Sequence, residues 1–291
     1  MIGNDWLTES SLQNTVRQSF AAKKVLYKEK SLYQEAEVID TLALGKVLLL
    51  DGAAMISEKD EFIYHEVMGH IPVLAQEKTK KVLVIGAGDG GVIRELCRYQ
   101  SIESITLVEI DEMVPRVCKE FFPQVARDLD NLRVKILFQD GYEFVKDQVE
   151  KKEVFDLIIS DSTDPVGMAK SLYEQDFFQD ISSLLSDEGI FMCQSENPFY
   201  DEFNIKEIYQ NLKNAFPIVQ AICAPMLIYP GVYWTFAFCS KRYFGTELKE
   251  NKIQEYQSFA GKLRWHNLDW HRGAFSLPNF VKEKLGHLSE K

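Results

Sequence analysis

Acidic residues recur in one kind of place along this chain, directly after short apolar runs. "VLVIGAGDGG" ends in glycines, Gly86 and Gly88 among them, with Asp89 planted between; "TLVEID" carries Glu109 and Asp111. "ILFQDG" carries Asp140 ahead of Gly141, and "DLIISDSTDPVG" carries Asp161 and Asp164 around Ser162 and Thr163. Any one of these acids could be a helix cap or a turn residue. Four acidic run ends in one register point instead to a site for cations.

Glu109 follows Gly88 at the spacing of about 20 residues where a dinucleotide fold places the acid that holds ribose hydroxyls. That signal is common to NAD and S-adenosylmethionine, which both present a ribose diol. The loop separates them. A glycine-rich turn ahead of a helix normally turns bare N–H groups toward a pyrophosphate, and Asp89 would repel one. A sulfonium nucleoside, cationic and without phosphate, suits the same loop. Asp161 and Asp164, with Pro165 restricting Asp164 to an extended or turn conformation, suit a polyamine, because each desolvated ammonium needs an opposite charge.

Two other constellations carry less. "YHEVMGH" resembles a zinc motif, but His65 and His70 are five positions apart, about 140° around a helix, and cannot share a metal as residues at i and i+4 do. No metal site is expected. Trp265, His266, Trp270 and His271 read as packing and capping groups.

The elements that must position these residues fall into two rhythms. From Lys23 to Ser57, short β-like runs separated by turns at Gly45 and Asp51-Gly52 suggest a small antiparallel sheet. "DEFIYHEVMGHIPVLA" then switches to helical spacing, with Phe62, Val67, His70 and Ile71 on one face, which puts a domain junction between residues 60 and 72. The expected division is a β-strand domain over 1–65 and a catalytic domain over 66–291. In the latter, strands "KVLVIG", "SITLVEID", "VKILFQD", "FDLIISD" and "GIFMCQS" alternate with helices at 92–99, 113–121, 141–150 and 176–185. Their near-continuous apolar runs call for a doubly wound parallel sheet covered on both faces. Two last strands, near "VQAICAPM" and "VYWTFAFCS", are close enough to pair antiparallel.

Composition agrees with this picture. The 291 residues are 46% hydrophobic, ample for a core, and 33 basic against 44 acidic residues leave a formal charge of −11. That balance argues against nucleic acid and fits a cationic small substrate. Five scattered cysteines form no C-x-x-C pair, no apolar run approaches the roughly 18 residues that span a bilayer, and "MIGNDWLTESS" has no secretory pattern. A soluble, cytoplasmic protein without a membrane partner is expected.

The stretches "LLLDGAAMISEKDEFIYHE", "VLVIGAGDGGVIRE", "TLVEID", "QDGYEF", "DLIISDSTDPVG", "QSENPFY", "YPGVYWTF" and "FSLPNFVKEKLG" resemble one family in order and spacing, the polyamine aminopropyltransferases, to which spermidine synthase belongs. The resemblance implies an α/β fold, a Rossmann-like doubly wound sheet of the class I methyltransferase type with a small N-terminal antiparallel β domain. It implies transfer of an aminopropyl group from decarboxylated S-adenosylmethionine, a co-substrate, to putrescine, with no other cofactor and a homodimer or homotetramer as the assembly. By the same resemblance Asp161 is the catalytic base. Tyr64, His65, Asp89, Ser162, Thr163, Asp164, Gln194 and Tyr229 surround the amine and aminopropyl groups. Gln34, Gly86, Gly88, Glu109, Asp140, Gly141 and Met168 surround the nucleoside. Ala87 stands for the usual middle glycine, Met55 for a frequent glutamine and Met168 for a frequent proline, departures that bear on the pocket walls. Residue chemistry leaves two rivals, an S-adenosylmethionine-dependent amine N-methyltransferase and a polyamine-binding regulator, and it leaves the acceptor open among putrescine, cadaverine, agmatine and spermidine.

Overall fold

The two rhythms become two sheets. The structure, a computed structural model, describes residues 6–9, 16–165, 167–200 and 202–289. Most of "MIGNDWLTESS" and Val166 of "DSTDPVG" lie outside the described residues. The first sheet is antiparallel throughout, in the order β1 (Trp6–Glu9), β2 (Gln18–Lys30), β3 (Glu35–Thr41), β4 (Gly45–Leu50) and β5 (Ala53–Ser57). The β4–β5 hairpin turns on Asp51 and Gly52, both at positive φ (49° and 81°), as a two-residue loop requires. The sequence reading missed β1 and began β2 too late. A four-residue strand shows too little alternation to stand out, and its order comes from pairing with β2.

Helix α1 (Glu61–Ala75) follows directly. Val67, His70 and Ile71 are buried as the spacing suggested, but so is nearly every other residue of the helix. It is buried all round because the helices at 91–96 and 250–257 cover the sides that the sheets do not. Phe62 is the partial exception, half-buried beneath the Arg264 guanidinium.

The second sheet has seven strands in the order β11-β12-β10-β9-β6-β7-β8. Strands β6 (Lys81–Gly86), β7 (Ser104–Glu109), β8 (Val134–Phe138), β9 (Phe155–Asp161) and β10 (Leu185–Gln194) are parallel; β11 (Ile218–Pro225) and β12 (Tyr233–Ser240) form an antiparallel edge. Alternate residues of β6 feed opposite cores: Val82 and Val84 pack with α1, whereas Leu83 and Ile85 pack toward the other face. Covering both faces is why these strands read as unbroken apolar runs. The crossovers are α2 (Gly91–Leu96), α3 (Met113–Phe121), α4 (Pro123–Ala126), α5 (Gly141–Glu150), α6 (Gln175–Leu184) and α7 (Glu202–Ala215), with a 3-10 turn over Gly167–Tyr173.

Helices α8 (Glu250–Gln257), α9 (Leu268–Ala274) and α10 (Asn279–Leu285) close the chain. The Glu66 carboxylate accepts the N–H groups of Arg264, Trp265 and His266 at 2.7–2.9 Å, and His266 pairs with Tyr256 and His271. His70 is engaged with Tyr99 and Glu95, while His65 faces elsewhere, so the two histidines of "YHEVMGH" share nothing. The cysteines are unpaired and no described helix is long and apolar enough to cross a membrane.

Candidate active site

The chain runs from β6 outward through β7 and β8, then returns to β9 on the other side of β6. This reversal opens a crevice at the carboxyl ends of β6 and β9, where an open α/β sheet binds its ligands. Gly86 and Asp161 are register partners at that point. All sixteen candidate site residues line the one cavity there, roofed by the first sheet.

The glycines make room for a backbone carbonyl at one position and a carboxylate at the other. A Cβ on Gly86, where φ is +78°, would stand 2.0 Å from the Asp161 carbonyl oxygen, and one on Gly88 would stand 2.6 Å from Glu109 Oε2. Ala87 sits at φ 58° between them, a left-handed conformation that costs a non-glycine residue about 1 kcal/mol, and donates its N–H to the same carbonyl.

At the nucleoside end Glu109 is buried, which raises its pKa to about 7; its Oε1 accepts the Asp111 N–H at 2.9 Å. Asp140 caps α5, with Oδ1 accepting from Tyr142 N and Glu143 N, and lines the cavity as well. Asp111 turns away from the ligand role that its place beside Glu109 suggested. Its Oδ2 receives Ser31 Oγ at 2.7 Å and Gln34 Nε2 at 3.1 Å, tying the β2–β3 turn to the catalytic sheet and holding Gln34 at the cavity. Gly141 leaves no room for a Cβ against Ile85, and Met168 is exposed at the mouth.

At the other end Tyr64 donates to Asp161 Oδ1 at 2.6 Å, and Asp161 Oδ2 is buried without a partner. Burial, then the nearby Asp89 charge, raises the Asp161 carboxyl to about 7. Tyr229 meets the Tyr64 ring edge-on and donates to the Met55 carbonyl, which fixes its ring. Gln194 is buried, receives Trp234 Nε1 at 3.2 Å and bonds Tyr173, which also engages Ser162 and the Thr163 carbonyl. Asp164 is half-buried and Thr163 exposed at the rim. Asp89 Oδ1 accepts the Gly91 N–H at 2.6 Å and lies 3.3 Å from His65 Nε2.

The sequence reading did not assign Glu9, Tyr33 or Trp234 to the cavity, although all three line it. Trp234 had a signal in "YPGVYWTF"; Glu9 had none, since only the pairing of β1 brings it there. No Lys or Arg lines the cavity among the described residues. The arrangement can therefore take a ligand with cationic groups at several points, keep it from water, and accept a proton at Asp161.

Comparison with known proteins matches this geometry. Residues 61–250 match the spermine/spermidine synthase domain and residues 5–58 the spermidine synthase tetramerisation domain. A polyamine aminopropyltransferase of Alkaliphilus metalliredigens is 42% identical over 96% of this chain and 97% of its own, and one of Clostridioides difficile is 43% identical over 96% and 98%. A crystal structure of a spermidine synthase in complex with the transition-state analogue AdoDATO superposes with a TM-score of 0.91 at 34% identity, covering 97% of this chain and 95% of that one. The spermidine synthase structure from Thermotoga maritima gives 0.89 at 34% identity, covering 97% and 94%. The chain belongs to the spermine/spermidine synthase family and is a transferase of the polyamine aminopropyltransferase type.

Proposed function

We propose that this enzyme transfers the aminopropyl group of decarboxylated S-adenosylmethionine to putrescine, giving spermidine and methylthioadenosine. The observation that carries the reading is the Asp161–Tyr64 pair, with one carboxylate oxygen buried and unpartnered, in the same cavity as Asp89. The amine nitrogen attacks the methylene bonded to sulfur, the C–S bond breaks, and its electron pair stays on sulfur as a neutral thioether. The attacking nitrogen must first lose a proton. An alkylammonium with a reference pKa of about 10.4 costs roughly 4.6 kcal/mol to neutralise at pH 7, and a base poised near 7 lowers the remaining barrier. Asp161 takes that proton, Tyr64 holds the carboxylate in place, and Asp164 keeps the acceptor's second ammonium charged. Glu109 holds the ribose diol, Asp140 and Gly141 the adenine, and Asp89 the donor ammonium. The sulfonium is already a good leaving group, so alignment accounts for much of the acceleration and no cofactor is called for.

A product assay with decarboxylated donor and putrescine, cadaverine, agmatine or spermidine tests this. Spermidine and methylthioadenosine in equal amounts are expected, with putrescine the preferred amine. A product heavier by a methyl group, or ligand binding without methylthioadenosine release, would refute it. We propose a homo-oligomer, tetramer or dimer, built through the first sheet, which leaves Trp6, Val25 and Leu42 exposed. Light scattering on the eluted protein reads the number of copies. Five unpaired cysteines suit a reducing, cytoplasmic compartment.

A further inference from the structure

Glu61 does not line the cavity, yet it belongs to a file of alternating charges that ends there. Arg94 of α2 meets it with both terminal nitrogens, Nη1–Oε1 at 3.1 Å and Nη2–Oε2 at 2.8 Å. Glu61 Oε2 lies 2.7 Å from His65 Nδ1, one helical turn on, and His65 Nε2 lies 3.3 Å from Asp89 Oδ1. An ionised carboxylate only accepts, and one faces each ring nitrogen, a hydrogen bond at Nδ1 and an ion-pair contact outside hydrogen-bond geometry at Nε2, so the surroundings favour the ring that carries both protons. The ring is buried and packs so close to α2 that a Cβ on Gly91 would be 2.2 Å from it. Asp89 Oδ1 thus accepts the Gly91 N–H and faces the His65 ring at ion-pair distance, and Oδ2 makes no hydrogen bond among the described residues.

We propose that Glu61 is a positioning residue for the donor: through the His65 ring it pins one oxygen of Asp89 and leaves the other for the donor ammonium. This rests on the reading of Asp89 as the ammonium contact. Charge matters along with position. Arg94, Glu61, His65 and Asp89 together sum to zero; without the Glu61 charge, Arg94 and His65 would outweigh Asp89 and offer a net cation to the carboxylate of an intact donor. The other ionisable groups near the ring are Tyr64 on its own helix, Asp161 from β9 and Glu109 from β7 beyond Asp89, none of them a cation, and Arg94 of α2, a cation that shares Glu61 Oε2 with the ring. Burial opposes the ring's charge, but Asp89 and Glu61 outweigh it and raise its pKa to about 10.

The test uses the full-length enzyme and its Glu61→Gln and Glu61→Asp variants. Nitrogen-15 NMR of the histidine rings at pH 8 should show His65 doubly protonated in the unaltered enzyme and losing its proton at lower pH in Glu61→Gln. Calorimetry should show Glu61→Gln binding decarboxylated donor about tenfold more weakly, a fraction of one charge-assisted hydrogen bond, with methylthioadenosine affinity unchanged. Preference for decarboxylated over intact donor should shrink, the donor KM should rise more than kcat falls, and Glu61→Asp should recover part of the loss. A neutral His65 ring at pH 8 in the unaltered enzyme overturns the proposal whether or not Glu61→Gln folds, and so does undiminished donor binding in Glu61→Gln. If Asp89→Asn loses donor and methylthioadenosine equally, the Asp89 reading itself fails; a donor-selective loss in Asp89→Asn with none in Glu61→Gln refutes the role of Glu61 alone.

Discussion

Replacing Asp161 by Asn should slow the reaction by orders of magnitude and stabilise the protein, with the second effect growing as the pH rises. In the unfolded chain this carboxyl ionises near its ordinary value of 3.8, whereas in the fold burial, and then Asp89, hold its proton until about pH 7. A raised carboxyl pKa favours folding only while the group is protonated. Its contribution is therefore complete below pH 4 and lost as the pH climbs through 7. Above that, a shift of about 3 units at 1.36 kcal/mol each sets a ceiling of about 4 kcal/mol on the cost of the buried charge. Asp161 keeps some contact with solvent, which screens it, and about 2 kcal/mol is the reasonable expectation. Asparagine keeps the acceptor for Tyr64 without the charge. At 2–4 °C per kcal/mol for a large domain, Asp161→Asn should melt about 4–8 °C higher at pH 8, with a clearly smaller gain at pH 5. Melting curves at fixed protein concentration, paired with methylthioadenosine release, measure both effects, and turnover should fall about 100- to 10,000-fold. Equal melting temperatures at pH 8, a gain that ignores pH, or near-native turnover would refute the reasoning.

Asp89→Asn should weaken decarboxylated donor by tens-fold while changing methylthioadenosine about twofold at most, because only the donor carries an ammonium; calorimetry with both ligands decides, and equal losses would contradict the contact. Tyr64→Phe removes the hydroxyl that stabilises ionised Asp161, so its pKa must rise and the acidic limb of kcat/KM must move to higher pH. A limb that stays put or moves the other way would show that the rate does not follow Asp161. Gly88→Ala needs no forbidden backbone conformation but drives a Cβ to 2.6 Å from Glu109 Oε2. Methylthioadenosine affinity should therefore drop about tenfold with little change in melting temperature, and an unchanged affinity would remove Glu109 from the ribose role.

Much of the catalytic sheet was legible because its physics is local. Strands covered on both faces must be apolar at successive positions, turns at their ends must use glycine, and parallel strands must deliver their carboxyl ends to one edge. Asp89, Glu109, Asp140 and Asp161 gather into one site from chain order alone, since a doubly wound topology leaves their run ends one common destination. The same reasoning overreached for Asp111, which has the right place on the chain but spends its carboxylate on Gln34, 77 residues away. It also missed β1 and with it Glu9, and it gave α1 one buried face where there are several.

Chain order alone, then, determined the kind of site, an acidic crevice at a topological switch, because that follows from residue type, period and spacing. Tertiary structure decided how each acid is held there: that Asp161 keeps an oxygen unpartnered and its pKa near neutrality, that Gly88 is small to make room for Glu109, and that His65 stands between two carboxylates. Burial and the distance between charges set those properties, and both are sums over residues remote in sequence, which no local pattern records.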